Sequence, residues 1–258
     1  MNLYPNTIPS AEPFFMPGNQ TGCILLHGFT GTPKEMRWLG EYLNNKSITI
    51  IAPRLTGHAT NPEDMQRSSW RDWISSVEDA YHYIRPNVDR LFVIGLSMGG
   101  MLACITASYL QFEGLATIST PYEIPQKDWR LRFVRQLSIL QPKVGKGSGD
   151  WHNLDAEKDH VDYPYHPTRS IAELLDLFVE LRHALPRLKI PSLHIHSTED
   201  QSVPYFHLQK IYQDNGSPNK QLLTVQNSGH VIIREPDRYQ VFDKILEFIL
   251  EAYPQTIP

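Results

Sequence analysis

Apolar residues fall in two rhythms along the chain. Short, nearly unbroken runs occur at GCILLHG (22–28), SITIIAP (47–53), RLFVIG (90–95), GLATIST (114–120), SLHIHS (192–197) and KQLLTV (220–225). Each is bounded by turn residues, and runs of this kind suit strands buried on both faces. Between them lie longer stretches whose apolar positions recur every three or four residues. PKEMRWLGEYLNNK (33–46) opens on Pro33, a favoured first helical residue, and sets Met36, Leu39 and Leu43 on one face. SWRDWISSVEDAYHYI (69–84) does the same with Trp70, Trp73, Ile74, Val77 and Tyr81, and the two tryptophans read as core. Further helices are expected from Met98 to about Gln111 and over 167–185, 203–214 and 235–253.

The alternation stops at Thr120. Residues 121–167 are rich in Pro, Gly, Trp, Tyr and His and hold one basic amphipathic stretch, DWRLRFVRQLSIL (128–140). That length exceeds an ordinary connection. It reads as an inserted cap or lid on a core formed by residues 1–120 and 168–258. Repeated βα units predict a doubly wound α/β fold, a mostly parallel sheet with helices on both faces and its functional site at the carboxyl ends of the strands.

Composition narrows the partners. The chain has 258 residues, 41% hydrophobic and 20% charged, with 24 basic against 28 acidic side chains and a net charge of -4. With no basic run, nucleic acid is not expected as a partner. The start lacks a basic region followed by an apolar one, and no apolar run is long enough to span a bilayer. Cys23 and Cys104 sit in apolar surroundings as reduced core residues, which suits a cytoplasmic protein. The glycosylation triplet at Asn19 carries no weight in that setting.

The chemistry concentrates in GLSMGG (95–100). Gly95-Leu96-Ser97-Met98-Gly99 fits G-x-S-x-G between a strand and a helix, the context in which a sharp turn lifts a nucleophilic serine above the sheet. A lone match could be a helix cap, so the partners decide. The serine needs a base and the base an orienting acid, in the chain order serine, acid, histidine. Of eleven histidines, His207 and His230 follow a credible acid at a strand end. His207 falls inside a helical pattern, whereas His230 lies in the polar loop QNSGHVIIREP. TEDQSVP offers Glu199 and Asp200, with Asp200 preferred directly before the turn; Glu123, beyond GLATIST, is the reserve. Two N–H donors are needed for an oxyanion, those of Met98 and of Phe29 in LLHGFTG.

HGFTG, GLSMGG, EDQSVP and SGH, in this order, resemble the serine α/β-hydrolase family, closest to small bacterial carboxylesterases and monoacylglycerol lipases. RLTGHA and IAELLDLFVELRHALPRLKIPSLHIHSTEDQSVP are similar to that group as well. The resemblance implies Ser97 as nucleophile, Asp200 as acid, His230 as base and the Phe29 and Met98 N–H groups as oxyanion hole. It implies a short insertion capping an acyl pocket, here residues 121–167. The expected partner is a small acyl ester, a monoacylglycerol or a short-to-medium-chain ester, with no metal or organic cofactor. Thioester hydrolysis, C–C hydrolysis, cofactor-free haloperoxidase chemistry and non-catalytic ligand binding on the same fold stay open. Exposed apolar cap residues could serve a homodimer contact as well as a substrate entrance.

Other signals are weaker. HIH at His194 and His196 has a metal-site spacing, but further ligands would have to come from Asp200 and His230. Cys104, two turns along the helix from Ser97, faces the core, and His58 in TGHA is read as organising its own loop.

Overall fold

The computed structural model describes residues 7–124, 133–147 and 149–252. Up to the elbow serine the chain forms β1 (Phe14–Met16), β2 (Thr21–Leu26), α1 (Arg37–Asn44), β3 (Thr49–Ala52), α2 (Pro62–Arg67), α3 (Trp70–Ile84) and β4 (Arg90–Leu96). Then come α4 (Met98–Ala107), β5 (Gly114–Ile118), α5 (Val134–Leu140), β6 (Lys143–Gly145), α6 (Leu154–Asp159) and β7 (Tyr165–Pro167). The last third supplies α7 (Thr168–Ala184), β8 (Ser192–Ser197), α8 (Phe206–Asp214), β9 (Lys220–Val225) and α9 (Arg238–Glu251). Among the described residues, seven strands make one sheet in the order β1-β3-β2-β4-β5-β8-β9, parallel throughout except for β1, which runs antiparallel to β3. This is the doubly wound α/β sheet that the alternation predicts. Strand order reverses between β2 and β4, whose carboxyl ends lie side by side in the register Leu26↔Gly95. A crevice opens at such a switch point.

The unbroken apolar runs are explained by burial on two faces. Along β4, Leu91 and Val93 join one hydrophobic cluster, and Phe92, Ile94 and Leu96 join the other. Ile24 and Leu26 of β2 likewise oppose Cys23 and Leu25. Side chains alternate across a strand, so each run feeds both layers. Helices α3, α4 and α7 cover the first face; α1 and α9 cover the second. Every residue of α4 is buried, so it carries no polar face. Cys104 lies in that core, where burial pushes its thiol up to about 12. Trp73 is fully buried and Trp70 packs partly buried against the same cluster.

Several boundaries differ from the sequence expectation for local reasons. β1 is a three-residue edge strand flanked by Pro13 and Pro17, too short to show a period. The helix expected from Pro33 begins with a tight turn over Pro33–Met36, and only then becomes α1. α2, not foreseen, starts where the Asn61 side chain accepts the Asp64 N–H at 2.9 Å. α4 stops at Ala107 rather than near Gln111, with Ser108 Oγ turned back onto the Ile105 carbonyl at 2.7 Å. Between β5 and α7 the described residues form α5, the antiparallel pair β6–β7 and α6. Residues 128–132 of the basic stretch lie outside the described residues. No helix among the described residues is long and apolar enough to cross a membrane.

Candidate active site

Ser97 joins β4 to α4 with φ 54° and ψ −119°. A positive φ is unfavourable for a residue with a side chain and persists where its surroundings enforce it. The enforcement here is steric. A Cβ on Gly95 would overlap the Gly99 carbonyl, and one on Gly99 would overlap the Leu26 carbonyl. The turn is pinned by Ser97 N–H to the Ile118 carbonyl at 2.7 Å and by Gly100 N–H to the Ser97 carbonyl at 3.0 Å. Met98 is the first residue of α4, so its N–H has no partner within the helix and sits at the positive end of the helix dipole.

The loop after β2 faces this elbow. A Cβ on Gly28 would lie 3.5 Å from Ser97 Cβ. His27 is fully buried; its Nε2 accepts the Leu55 N–H at 3.3 Å, so the proton is on Nδ1, which donates to the Gly28 carbonyl at 3.0 Å. Burial and the neighbouring His58 hold the His27 ring well below the usual histidine range, so it stays neutral. The Gly28 carbonyl also accepts the Gly31 N–H at 3.2 Å. In a trans peptide the carbonyl and the next N–H point oppositely. Anchoring the Gly28 carbonyl therefore turns the Phe29 N–H to the other side. His58 packs edge-on against His27 at 5.0 Å, and burial lowers it to about 4.

At the far side of the sheet, β8 leads into Asp200 and β9 into the His230 loop. Asp200 Oδ1 accepts the N–H groups of Ser202 at 2.9 Å and Val203 at 2.7 Å. Its Oδ2 accepts His230 Nδ1–H at 2.8 Å and lies 3.2 Å from His196 Nε2. Burial alone would raise this carboxyl, but the His230 charge and the donors from His196, His230 and Val203 hold it well below the usual range. His230 feels the reverse balance. Burial disfavours its cation, yet Asp200, Asp150 and Glu35 raise it above the ordinary value. With the proton on Nδ1, Nε2 remains as the basic nitrogen. A second carboxylate holds the loop, for Asp150 Oδ1 accepts the His230 backbone N–H at 3.1 Å and Oδ2 accepts the Gln201 N–H at 2.8 Å.

The other candidates have different partners. Glu199 accepts the Asn227 N–H at 2.6 Å, and Glu123 pairs with Lys210 at 2.8 Å. His207 is buried and its Nδ1 accepts the Tyr122 N–H at 3.0 Å. His194 is held between Thr117 Oγ1 at 2.7 Å and Asn215 Nδ2 at 2.9 Å. His196 donates to the Val203 carbonyl at 2.9 Å while facing Asp200, so it braces that carboxylate.

Sequence reasoning missed Glu35, Asp150 and the bracing by His196. Glu35 is buried with Oε2 accepting the Gly28 N–H at 2.8 Å. Its position four residues after HGFTG is the one signal that could have drawn notice. The same loop meets the segment before α7: Thr32 Oγ1 donates to the Val161 carbonyl at 3.0 Å, and Tyr163 N–H donates to the Thr30 carbonyl at 3.1 Å. The Phe29 ring stacks on His166 at 5.4 Å and meets Trp73 edge-on at 6.1 Å.

Comparison with known proteins agrees with this architecture. The family model described as Serine aminopeptidase, S33 matches residues 19–237. The thermostable monoacylglycerol lipase of Bacillus sp. (strain H-257) is 33% identical over 246 residues, 95% of this chain and 96% of that protein. The carboxylesterase of Bacillus subtilis (strain 168) is 26% identical over 243 residues, 94% of this chain and 97% of that one. A solved structure from the metagenome-derived lipolytic enzymes LipS and LipT superposes with a TM-score of 0.89 at 31% identity, covering 95% of this chain and 100% of its own. A family model over most of the chain and a relative one-third identical across nearly all of it show that the chain belongs to the serine aminopeptidase S33 family, serine hydrolases built on the α/β-hydrolase fold.

Proposed function

We propose that this serine hydrolase cleaves carboxylic esters through an acyl-enzyme, acting on monoacylglycerols or on short-to-medium-chain acyl esters. Ser97 is the nucleophile, His230 the base, Asp200 the acid, and the Phe29 and Met98 N–H groups the oxyanion hole. The observation that carries the reading is the left-handed backbone of Ser97 at a strand-to-helix turn, with Asp200 bonded to His230 at 2.8 Å at the same, carboxyl end of the parallel strands.

His230 Nε2 takes the proton as Ser97 Oγ attacks the ester carbonyl. The carbonyl oxygen becomes an oxyanion between the two N–H groups, where fixed dipoles stabilise it without reorganising. Asp200 keeps the His230 proton on Nδ1 and stabilises the imidazolium. His230 then protonates the departing alcohol, and in the second half-reaction it deprotonates the water that attacks the acyl-enzyme.

An acyl substrate is supported by the aromatic cluster at the loop after β2, where the Phe29 ring packs against Trp73 and His166. It is supported also by the relatives named monoacylglycerol lipase and carboxylesterase. Residues 121–167 act as the cap in this reading, which the contacts of Val161, Tyr163 and His166 with residues 29–32 support.

The test is a rate profile of the purified chain on monoacylglycerols and p-nitrophenyl esters of graded chain length, with aminoacyl p-nitroanilides as a peptidase control. Fluorophosphonate labelling of wild type and Ser97→Ala accompanies it. The expected result is ester turnover together with labelling that disappears in Ser97→Ala. Hydrolysis of the anilides with every ester untouched would overturn the substrate class. Labelling that survives in Ser97→Ala would overturn the assignment of the nucleophile.

A further inference from the structure

One buried carboxylate beside the site has no part in the steps above. Glu35 lies in the turn before α1, 5% exposed, and its side chain reaches back under the loop that follows β2. Oε2 accepts the Gly28 N–H at 2.8 Å, and Oε1 stands 3.5 Å from His160 Nε2. The carboxylate fills the space where a Cβ on Gly31 would stand, so the loop closes around it. Both polar groups of Gly28 are thereby held by side chains, the carbonyl by His27 and the N–H by Glu35. The peptide between Gly28 and Phe29 is the one whose N–H serves the oxyanion.

We infer that Glu35 is a positioning residue of the oxyanion hole, aiming the Phe29 N–H through Gly28 and tying that turn to the cap through His160. The inference rests on the reading of the Phe29 N–H as an oxyanion donor. It makes the cap a working part of the donor geometry. With His160 seated, Glu35 is buried and its bond to Gly28 is shielded from water; with the cap displaced, water competes for both oxygens.

The charges around Glu35 come from several elements. His160 faces Oε1, with Asp162 3.8 Å from the same ring nitrogen and Lys146 paired to Asp162. His230 approaches from the base loop, and Lys34 and Arg234 converge on Asp159 one layer further out. Burial pushes Glu35 up to about 7; Asp162 adds to the rise, while the Gly28 N–H, Lys146 and His230 oppose it. His160 is lowered to about 4, chiefly by burial, so it is neutral when Glu35 titrates. Its Nδ1 has no hydrogen-bond partner among the described residues, so the proton of the neutral ring belongs on Nε2, facing the Glu35 carboxylate. A protonated Glu35 still offers an oxygen to Gly28, but the charge-assisted bond becomes a neutral one of roughly half the strength. Oxyanion alignment therefore weakens as pH falls through neutrality, the same direction in which His230 is lost as a base.

The experiment compares Glu35→Ala and Glu35→Gln in the full chain with a p-nitrophenyl ester. It reads kcat and KM separately across pH, and it measures the affinity of an alkyl boronic acid, which forms a tetrahedral anion on the serine. Loss of a complete oxyanion donor costs about 10²–10³ in kcat, so a misaimed one should cost ~10-fold or more. Glu35→Ala is expected to lose that much in kcat with KM within about twofold and to lose boronate affinity in parallel. Glu35→Gln fits the same space and keeps an acceptor for Gly28. It should recover most of the loss above neutral pH, and its profile should lack the ionisation near 7. Wild-type kcat and boronate affinity in Glu35→Ala would overturn the inference. So would a Glu35→Gln variant as impaired as Glu35→Ala at high pH, because folding alone cannot separate the two. Ser97→Ala run alongside separates the levels. If Ser97→Ala turned over normally the underlying reading would fall; if it were inactive and the Glu35 variants normal, only this inference would.

Discussion

The two sides of the proposed site, Ser97 as nucleophile and His230 as base, are held in place by different forces. Ser97 is gripped by main chain, with β4 behind it, α4 ahead of it, and two glycines that admit the Gly99 and Leu26 carbonyls. His230 stands on a loop pinned by side chains. Asp200 and Asp150 hold His230 itself, Ser197 Oγ donates to the Ser228 carbonyl at 2.5 Å, and Glu199 accepts the Asn227 N–H. Steric walls carry no charge, whereas three of those four latches are carboxylates. The nucleophile should therefore keep its place across pH, and the pH response should belong to the base and to its neighbours.

The sharpest way to probe the first half of that comparison is Ser97→Ala. The wall that shapes the turn is untouched, so the fold and the thermal unfolding midpoint should change little. Turnover should fall on the order of 10⁶, because the base, acid and oxyanion donors act on an oxygen that is gone. A comparable loss of folding would show that the hydroxyl helps to hold the turn, and the contrast would fail on its steric side.

Asp200→Asn addresses the other half. The amide keeps the size of the carboxyl but can present N–H to His230 Nδ1, which favours the tautomer that cannot take a proton from Ser97. The loss in kcat should be about 10⁴. The carboxylate also raises His230, so the acid limb of kcat/KM should move to lower pH in the variant. An acid limb that stayed in place would mean that Asp200 contributes orientation without electrostatics.

The same division decides what could be read from the sequence. β2, β4, β5 and β8 are legible because burial on both faces demands an unbroken apolar run, and the elbow because its glycines are adjacent to the serine they clear. β1 and α2 escape, one too short for a period and the other begun by a single Asn61 cap. Asp200 and Glu199 are neighbours of the same type, and local pattern ranks Asp200 first only by its place directly before the turn. Their roles part only in three dimensions, where Asp200 turns to His230 and Glu199 to the Asn227 N–H. Glu35, Asp150 and His196 act on partners reached through the fold, two of them through backbone N–H groups, which leave no trace in residue type. The segment before α7 is the least legible for the same reason. Its polar side chains serve distant main chain rather than a periodic face.

Asp150 is where the comparison can be refined most finely, since it tests whether a residue of the segment between β5 and α7 tunes His230. Its two oxygens span the acid and base loops, through Gln201 N–H at 2.8 Å and His230 N–H at 3.1 Å. Its charge is one of those that raise His230, after Asp200. A base must be neutral to accept a proton, so activity climbs as pH passes the raised value. Removing a nearby negative charge lowers that value, and the acid limb moves to lower pH. Asp150→Asn keeps one acceptor and should cost only a few-fold in kcat at high pH, with the limb displaced downward. Asp150→Ala loses both anchors, each a partly exposed charge-assisted bond, and should cost about tenfold. The check is a pair of kcat/KM–pH profiles measured beside wild type on one p-nitrophenyl ester. A limb that stays fixed while kcat falls would reduce Asp150 to a strut, and the pH response of the base would then rest on Asp200 and Glu35 alone.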